Sequence, residues 1–428
     1  MNLIQFLNQS PTAFHVCASA KELLKNNGFT ELFEHEKWDI KNGGNFFVTR
    51  NSSSLIAFSI PSADYRGMLI CASHTDSPAL KLKASPELNE TNGLVRLNVE
   101  AYGGMIKRTW FDRPLSVAGR VAVKNENTIE EKLVDISRPV AVIPSLAIHM
   151  DRNATDGNIN IQKELLPVVY TTSSKLTLFD VIAQSLSVSP SNITGSDLFL
   201  YNTEKAEITG LDDEFISGGR IDNAENVYLS LSAFLKSENN DFMKVFAAFD
   251  NEETGSLTRQ GADSTFLTDT LERIPDSLSL SKNDILSRYA SSFVMSADNA
   301  HAAHPNYMEK ADIVNRPKIN GGIVLKYNAS GKYTTDAISA AVVKELALRA
   351  DIPVQEYHNR SDIPGGSTLG NILNCHISLH SADIGLAQLA MHSAYETAGL
   401  KDTVYMEKFL TEFYTSKITA TDNGIIIS

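Results

Sequence analysis

The chain has 428 residues, 43% of them hydrophobic and 21% charged, with a formal net charge of −13. That length exceeds what one hydrophobic core usually supports, so two domains or one domain with a large insertion is expected. The acidic balance argues against nucleic acid or an anionic membrane surface as principal partner, and no segment offers the long uncharged apolar run of a membrane helix.

The opening stretch "MNLIQFLNQSPTAFHV" lacks a basic region followed by an apolar core and a small-residue cleavage site, so no secretory signal is read there. Cys17, Cys71 and Cys375 are few, scattered and odd in number, which points away from a disulfide framework or a thiolate zinc site. A reducing cytoplasm is the expected location.

Four short apolar runs end in chemically rich tips: "GMLICASHTD", "KVFAAFDNEE", "SFVMSADNAH" and "GGIVLKYN". Runs apolar at both alternating positions fit strands covered on two faces, as in a parallel sheet between helices. Helical spacing predicts helices over 221–235, with Ala224, Val227, Leu229, Leu231 and Phe234 on one side, and over 336–350, where Asp336 is the predicted N-cap. A third helix is predicted over 404–418 from Met406, Phe409, Leu410 and Phe413. From about Leu94 to Tyr201 the pieces "LVRLNVEAYGG", "SVAGRVAVKN" and "RPVAVIPSLAIH" are rich in β-branched residues and turn glycines, as antiparallel strands are. The expected architecture is therefore an α/β core of two parts, 1–90 and 213–428, interrupted by a β-rich domain over 91–212.

Chemistry-bearing residues cluster at the predicted strand tips. His74 in "CASHTDSP" has Asp76 two positions on, and such a carboxylate can fix the tautomer of a metal-bound imidazole, although a surface turn reads the same way. Asp222 in "SGGRIDNAENVY" opens a striped helix, where simple capping is the plainer reading. Glu252 and Glu253 follow an apolar run, and open α/β sheets bind ligands outside the carboxyl ends of their strands. Asp298 ends another run and is followed by His301 and His304, a spacing that serves metal binding, substrate contact or packing. His392 lies among apolar residues, where a core histidine is the default. Collectively, imidazoles and carboxylates without a thiolate suit a pair of zinc ions sharing a bridging carboxylate. Two cations would make adjacent carboxylates favourable where they otherwise repel, and a second glutamate could take the proton of an attacking water.

The ordered motifs "SHTDSP", "RIDN", "FDNEETGS", "SADNAHAAHPNY", "GGSTLG" and "AMHS" resemble the aspartyl aminopeptidase family over essentially the whole chain. The resemblance implies a dinuclear zinc exopeptidase, with Mn2+ or Co2+ as possible substitutes, that removes N-terminal Asp or Glu from peptides. It implies His74, Asp222, Glu253, Asp298 and His392 as ligands of two Zn2+ per subunit, Asp222 as the bridge, Asp76 as the residue orienting His74, and Glu252 as general base. It also implies His149 as a residue lent to a neighbouring subunit, and His304, Lys326, Tyr333 and Gly366 as substrate contacts. The inserted domain would be a dimerisation domain, and dimers would assemble into a tetrahedral dodecamer. The alternatives are a peptidase of this fold preferring neutral residues, a two-metal deacylase, and a noncatalytic assembly or cargo protein.

Overall fold

The computed structural model describes residues 1–61, 64–150 and 158–428. Its centre is a nine-stranded mixed sheet, in the spatial order Thr30–Leu32, Asn45–Arg50, Ser54–Ser59, Phe242–Phe249, Gly67–His74, Phe293–Ala297, His380–Gly385, Ile323–Tyr327 and Val354–His358. The Phe242–Phe249, Gly67–His74, Phe293–Ala297 and His380–Gly385 strands run parallel, so their carboxyl ends share one edge. In register, Phe249 stands opposite His74 and Ser296 opposite Ala72.

The alternation of side chains explains why these runs read as continuously apolar. Leu69 and Cys71 join one core cluster with Phe246, Phe293 and Met295, while Met68, Ile70 and Ala72 join the opposite cluster with Val245, Ala247 and Phe249. Helices Ile221–Lys236, Ala337–Arg349 and Leu400–Thr415 cover the first face, and Phe266–Ser277 with Leu369–His376 cover the second. The one charged residue of the Phe242–Phe249 strand, Lys244, turns its buried ammonium to the carbonyls of Phe234 and Ser237 at the end of the covering helix. Those are carbonyls that a helix leaves without intrahelical donors, so the cation completes the helix.

The predicted helix over 336–350 is present as Ala337–Arg349, and the Asp336 carboxylate accepts from the Ser339 N–H as its cap. The third helix starts earlier than the predicted 404 and stops at Thr415. Ile418, whose spacing extended the prediction, instead opens a terminal hairpin of Ile418–Thr421 with Gly424–Ile427.

A second, six-stranded sheet has the order Thr128–Asp135, Leu115–Asn125, Ile193–Asn202, Ala79–Glu87, Leu94–Tyr102 and Val168–Thr171, with every neighbour antiparallel. It has its own core, built on Leu97, Val117, Leu198 and Leu200. This sheet begins at Ala79 and ends at Asn202, earlier at both ends than the expected 91–212, because Ala79–Glu87 pairs with the inserted strands and not with the central sheet. The "RPVAVIPSLAIH" piece forms isolated bridges at Ala141, Val142 and Ile143 in place of a strand. Pro139 and Pro144 bracket it and supply no ladder N–H.

Candidate metal centre

Four of the expected site residues are placed by the parallel strands. His74 is the last residue of its strand, Glu252 and Glu253 lie in the turn after Phe249, and Asp298 follows Ala297. Adjacent parallel strands in close register necessarily bring these tips together. Asp222 and His392 arrive from elsewhere: Asp222 from a non-helical residue at the start of the Ile221–Lys236 helix, His392 from the turn between Ala387–Leu389 and Glu396–Gly399. Asp222 does not cap that helix, since Arg220 holds the cap position without a side-chain bond and the Asp222 carboxylate faces the cluster.

The separations decide what the cluster is for. His74 Nε2 is 3.5 Å from Asp222 Oδ1 and 3.4 Å from Asp298 Oδ1, and His392 Nε2 is 3.6 Å from Asp222 Oδ2 and 3.4 Å from Glu253 Oε1. Strong charge-assisted hydrogen bonds are shorter, about 2.7–2.9 Å. Two ligand atoms each about 2.1 Å from a tetrahedral ion stand about 3.4 Å apart, which matches all four values. The groups His74–Asp222–Asp298 and Asp222–Glu253–His392 share Asp222, one carboxylate oxygen facing each imidazole. Buried Asp222 Oδ1 and Glu253 Oε1 lack any hydrogen-bond partner. Orphaned anionic oxygens are costly, and a divalent cation is the partner this donor set fits.

Electrostatics point the same way. Burial opposes the charge on His74, but Asp222, Asp298 and Asp76 outweigh it and hold the imidazole well above its ordinary value. Burial likewise opposes charge on His392, yet Asp222 and Glu253 push it up to about 10. Burial, with the neighbouring carboxylates, pushes Glu252 up to about 8 and Glu253 well above the usual carboxylate range. A cluster that draws protons onto its imidazoles and carboxylates is one that calls for positive charge.

Both imidazoles present Nε2 because Nδ1 is occupied. His74 Nδ1 donates to the Asp76 main-chain carbonyl at 3.1 Å, with the Asp76 carboxylate 3.4 Å away. His392 Nδ1 donates to the Gly104 carbonyl at 2.7 Å. The Asp76 carboxylate has a larger task than orienting His74: it accepts the main-chain N–H of Glu252 at 3.1 Å, the N–H of Glu253 at 3.2 Å and the Tyr102 hydroxyl at 2.6 Å. Tyr102 in turn accepts from Asn251 Nδ2 at 2.8 Å. Gly103 lies against Glu253, where a Cβ would stand 3.0 Å from the Glu253 Cβ, and its φ of +72° is a conformation suited to glycine. Tyr102 and Gly104 were not singled out from the sequence, and their only signal was the "AYGG" at the end of an inserted strand; Asn251 stood in "FDNEETGS" without an assigned role.

The remaining expected residues are less tightly gathered. Lys326 is buried, and its ammonium donates to the carbonyls of Asp298 and Asn299 at 2.7 and 3.1 Å, 3.5 Å from Asp298 Oδ2. Tyr333 is buried, its ring centroid 5.3 Å from Lys326 Nζ. His304 is half-buried beside Tyr307, Gly366 is exposed, and His301 packs near Tyr357. Neither His301 nor His304 joins a metal-capable group among the described residues. His149 is exposed in the turn at residues 148–150 of the inserted domain. A cavity of about 510 Å³ between the N-terminal segment and the inserted sheet shares Asp76, Tyr102 and Asn251 with the site but none of the five expected ligands.

An α/β sheet with a buried histidine and carboxylate cluster at its parallel strand tips defines a metal-dependent hydrolase. The chain belongs to the M18 peptidase family, residues 6–414 matching the family described as aminopeptidase I zinc metalloprotease. It is 44% identical over 421 residues to a probable M18 family aminopeptidase 2 of Clostridium novyi, covering 96% of this chain and 97% of that protein. Among solved structures, Chaetomium thermophilum mApe1 is similar at 33% identity and a TM-score of 0.88, with 96% of both chains covered. The S. cerevisiae mApe1 dodecamer is similar at 30% identity and 0.85, covering 96% of this chain and 95% of that one. Zinc is the family's metal, and the residues present fit it. No helix among the described residues is long and apolar enough to cross a membrane.

Proposed function

We propose that this zinc aminopeptidase removes N-terminal Asp or Glu from peptides through a centre of two metal ions. His74, Asp222 and Asp298 would hold one ion and Asp222, Glu253 and His392 the other, the reading resting on the four near-equal ligand-atom separations. Bound there, zinc would acidify water and polarise the scissile carbonyl. Glu252 is the general base: its main chain is fixed by Asp76, its carboxyl lies beside His74, and it takes the proton of the attacking water and returns it to the departing amine.

Acidic selectivity is assigned to Lys326. An ammonium has three N–H donors; two are held by main-chain carbonyls, and the third faces the Asp298 carboxylate at 3.5 Å, where a substrate carboxylate would compete for it. His304, Tyr333 and Gly366 complete the substrate side in this proposal. The inserted domain is read as the dimerisation domain, and a homododecamer as the assembled state, as in the mApe1 dodecamer. His149 would act from one subunit in the site of the next, and Leu146, Ile148 and Met150 around it are exposed, as in a segment that a second subunit covers. The scarce, unpaired thiols agree with a cytoplasmic setting.

A panel of aminoacyl anilides tests this reading. Asp and Glu derivatives should turn over fastest, activity should vanish on chelation and return with zinc, and Lys326→Met should erase the acidic preference. Faster cleavage of Leu would assign a neutral specificity, and metal-independent inactivity at every pH would leave a noncatalytic protein.

A further inference from the structure

The Asp222–His392 side of the centre depends on a residue outside the expected site. Glu396 is buried, at the first position of the Glu396–Gly399 strand, opposite Gly218 in the Phe215–Gly218 strand. Its two carboxylate oxygens reach different segments. Oε2 accepts the main-chain N–H of Asp222 at 3.1 Å, and Oε1 accepts that of His392 at 2.8 Å, with Gln388 Nε2 also on Oε1 at 3.4 Å. His392 has a φ of +67°, a left-handed conformation rare for a residue with a side chain, and the external bond to its N–H supports that turn together with the Ile106 N–H on its carbonyl at 3.0 Å.

We infer that Glu396 is a positioning residue that presets Asp222 and His392 in one geometry before any ion arrives. The argument is one of connection. Strand register aligns His74 and Asp298, but no shared ladder step joins Asp222 to His392, which come from a helix start and a hairpin turn. The only described group bonded to the main chain of both is the Glu396 carboxylate. Groups behind the direct ligands commonly govern metal affinity by about 10- to 100-fold. The inference rests on the ligand assignment proposed above, and it concerns metal affinity ahead of turnover.

Glutamine at 396 keeps one acceptor oxygen and replaces the other with an NH2 that faces an N–H, so it cannot hold both segments. Chelator-stripped wild type and Glu396→Gln should be titrated with zinc by calorimetry in the presence of a competing chelator. Wild type should take two ions per subunit, and in the variant the affinity of the Asp222–Glu253–His392 site should fall about 10- to 100-fold while that of the other site, which shares only Asp222, falls distinctly less. Two unchanged affinities, or two that fall equally, would overturn the inference, while a wild type that binds no zinc pair removes the ligand assignment and this inference with it. Hydrogen exchange on stripped wild type guards against a variant that fails to fold. Peptides spanning 219–224 and 389–394 should keep protected amides at Asp222 and His392 without metal, and free exchange at both would overturn the presetting.

Discussion

The two sides of the centre are built by different means. His74, Glu252, Glu253 and Asp298 sit at the tips of adjacent parallel strands whose register is fixed by two buried faces, so backbone pairing brings the tips within reach and Asp76 fixes the Glu252–Glu253 turn on them. Asp222 and His392 come from a helix start and a turn; Glu396 accepts both of their N–H groups, the Ser77 hydroxyl donates to the Asp222 carbonyl, and the Gly104 carbonyl and Ile106 N–H hold the ring and carbonyl of His392. A sheet tolerates little slippage, because a one-residue shift turns every side chain to the other face. A turn held by side chains has no such protection. The strand side should therefore be sensitive to changes of chemistry, and the turn side to changes of support.

The sharpest test of the strand side is Glu252→Gln. The direct ligands remain, so zinc content should stay near normal while kcat falls by roughly 10²- to 10⁴-fold. Near-native turnover would show that the tip supplies no base. Asp76→Asn comes next, because an amide cannot accept from both glutamate N–H groups and the tyrosine as a carboxylate does. A loss of about 10- to 100-fold in kcat or zinc affinity is expected, measured by steady-state kinetics and metal analysis. Tyr102→Phe removes one of the three bonds to Asp76 and should cost less, within about 10-fold; a loss matching that of Asp76→Asn would mean that the tyrosine, not the carboxylate, holds the tip.

The smallest expected effect lies away from both sides. Burial lowers His15 from 6.5 to about 4, opposed by Asp135 and reinforced by Arg220, and the Thr12 hydroxyl is hydrogen-bonded to its Nδ1 at 2.8 Å. Between those values the unfolded chain binds more protons at this position, so the stability is whole above pH 6.5 and drains away as pH falls toward 4. His15→Gln should flatten the acid loss of melting temperature by a few degrees relative to wild type while leaving zinc stoichiometry at neutral pH unchanged. An identical acid profile in both proteins would remove His15 from the pH response.

The strand side was the legible one. A doubly buried strand reads as an unbroken apolar run, and the residue ending it, as at His74, Glu252 and Asp298, stands out by contrast. Asp222 was harder, since an acid after a glycine turn reads equally well as a cap, and only the fold shows its carboxylate facing imidazoles. Glu396, Tyr102 and Gly104 were hard to read because Glu396 joins His392, 4 positions away, to Asp222, 174 away, while Tyr102 and Gly104 reach partners 26 and 288 positions away. The helix ending at Thr415 and the bridges over Ala141–Ile143 were misjudged for a common reason: apolar spacing continued past the point where a hairpin or flanking prolines had already changed the backbone.

The strand ending at Tyr102 belongs to the inserted sheet, yet its last residue and the glycines after it latch Asp76 and the ring of His392. Anyone seeking a smaller catalyst by cutting out the insertion and rejoining the chain would be removing two fasteners of the metal cage along with the supposed appendage. A trimmed protein would keep every proposed ligand in its sequence and still lack the means to aim one of its two imidazoles.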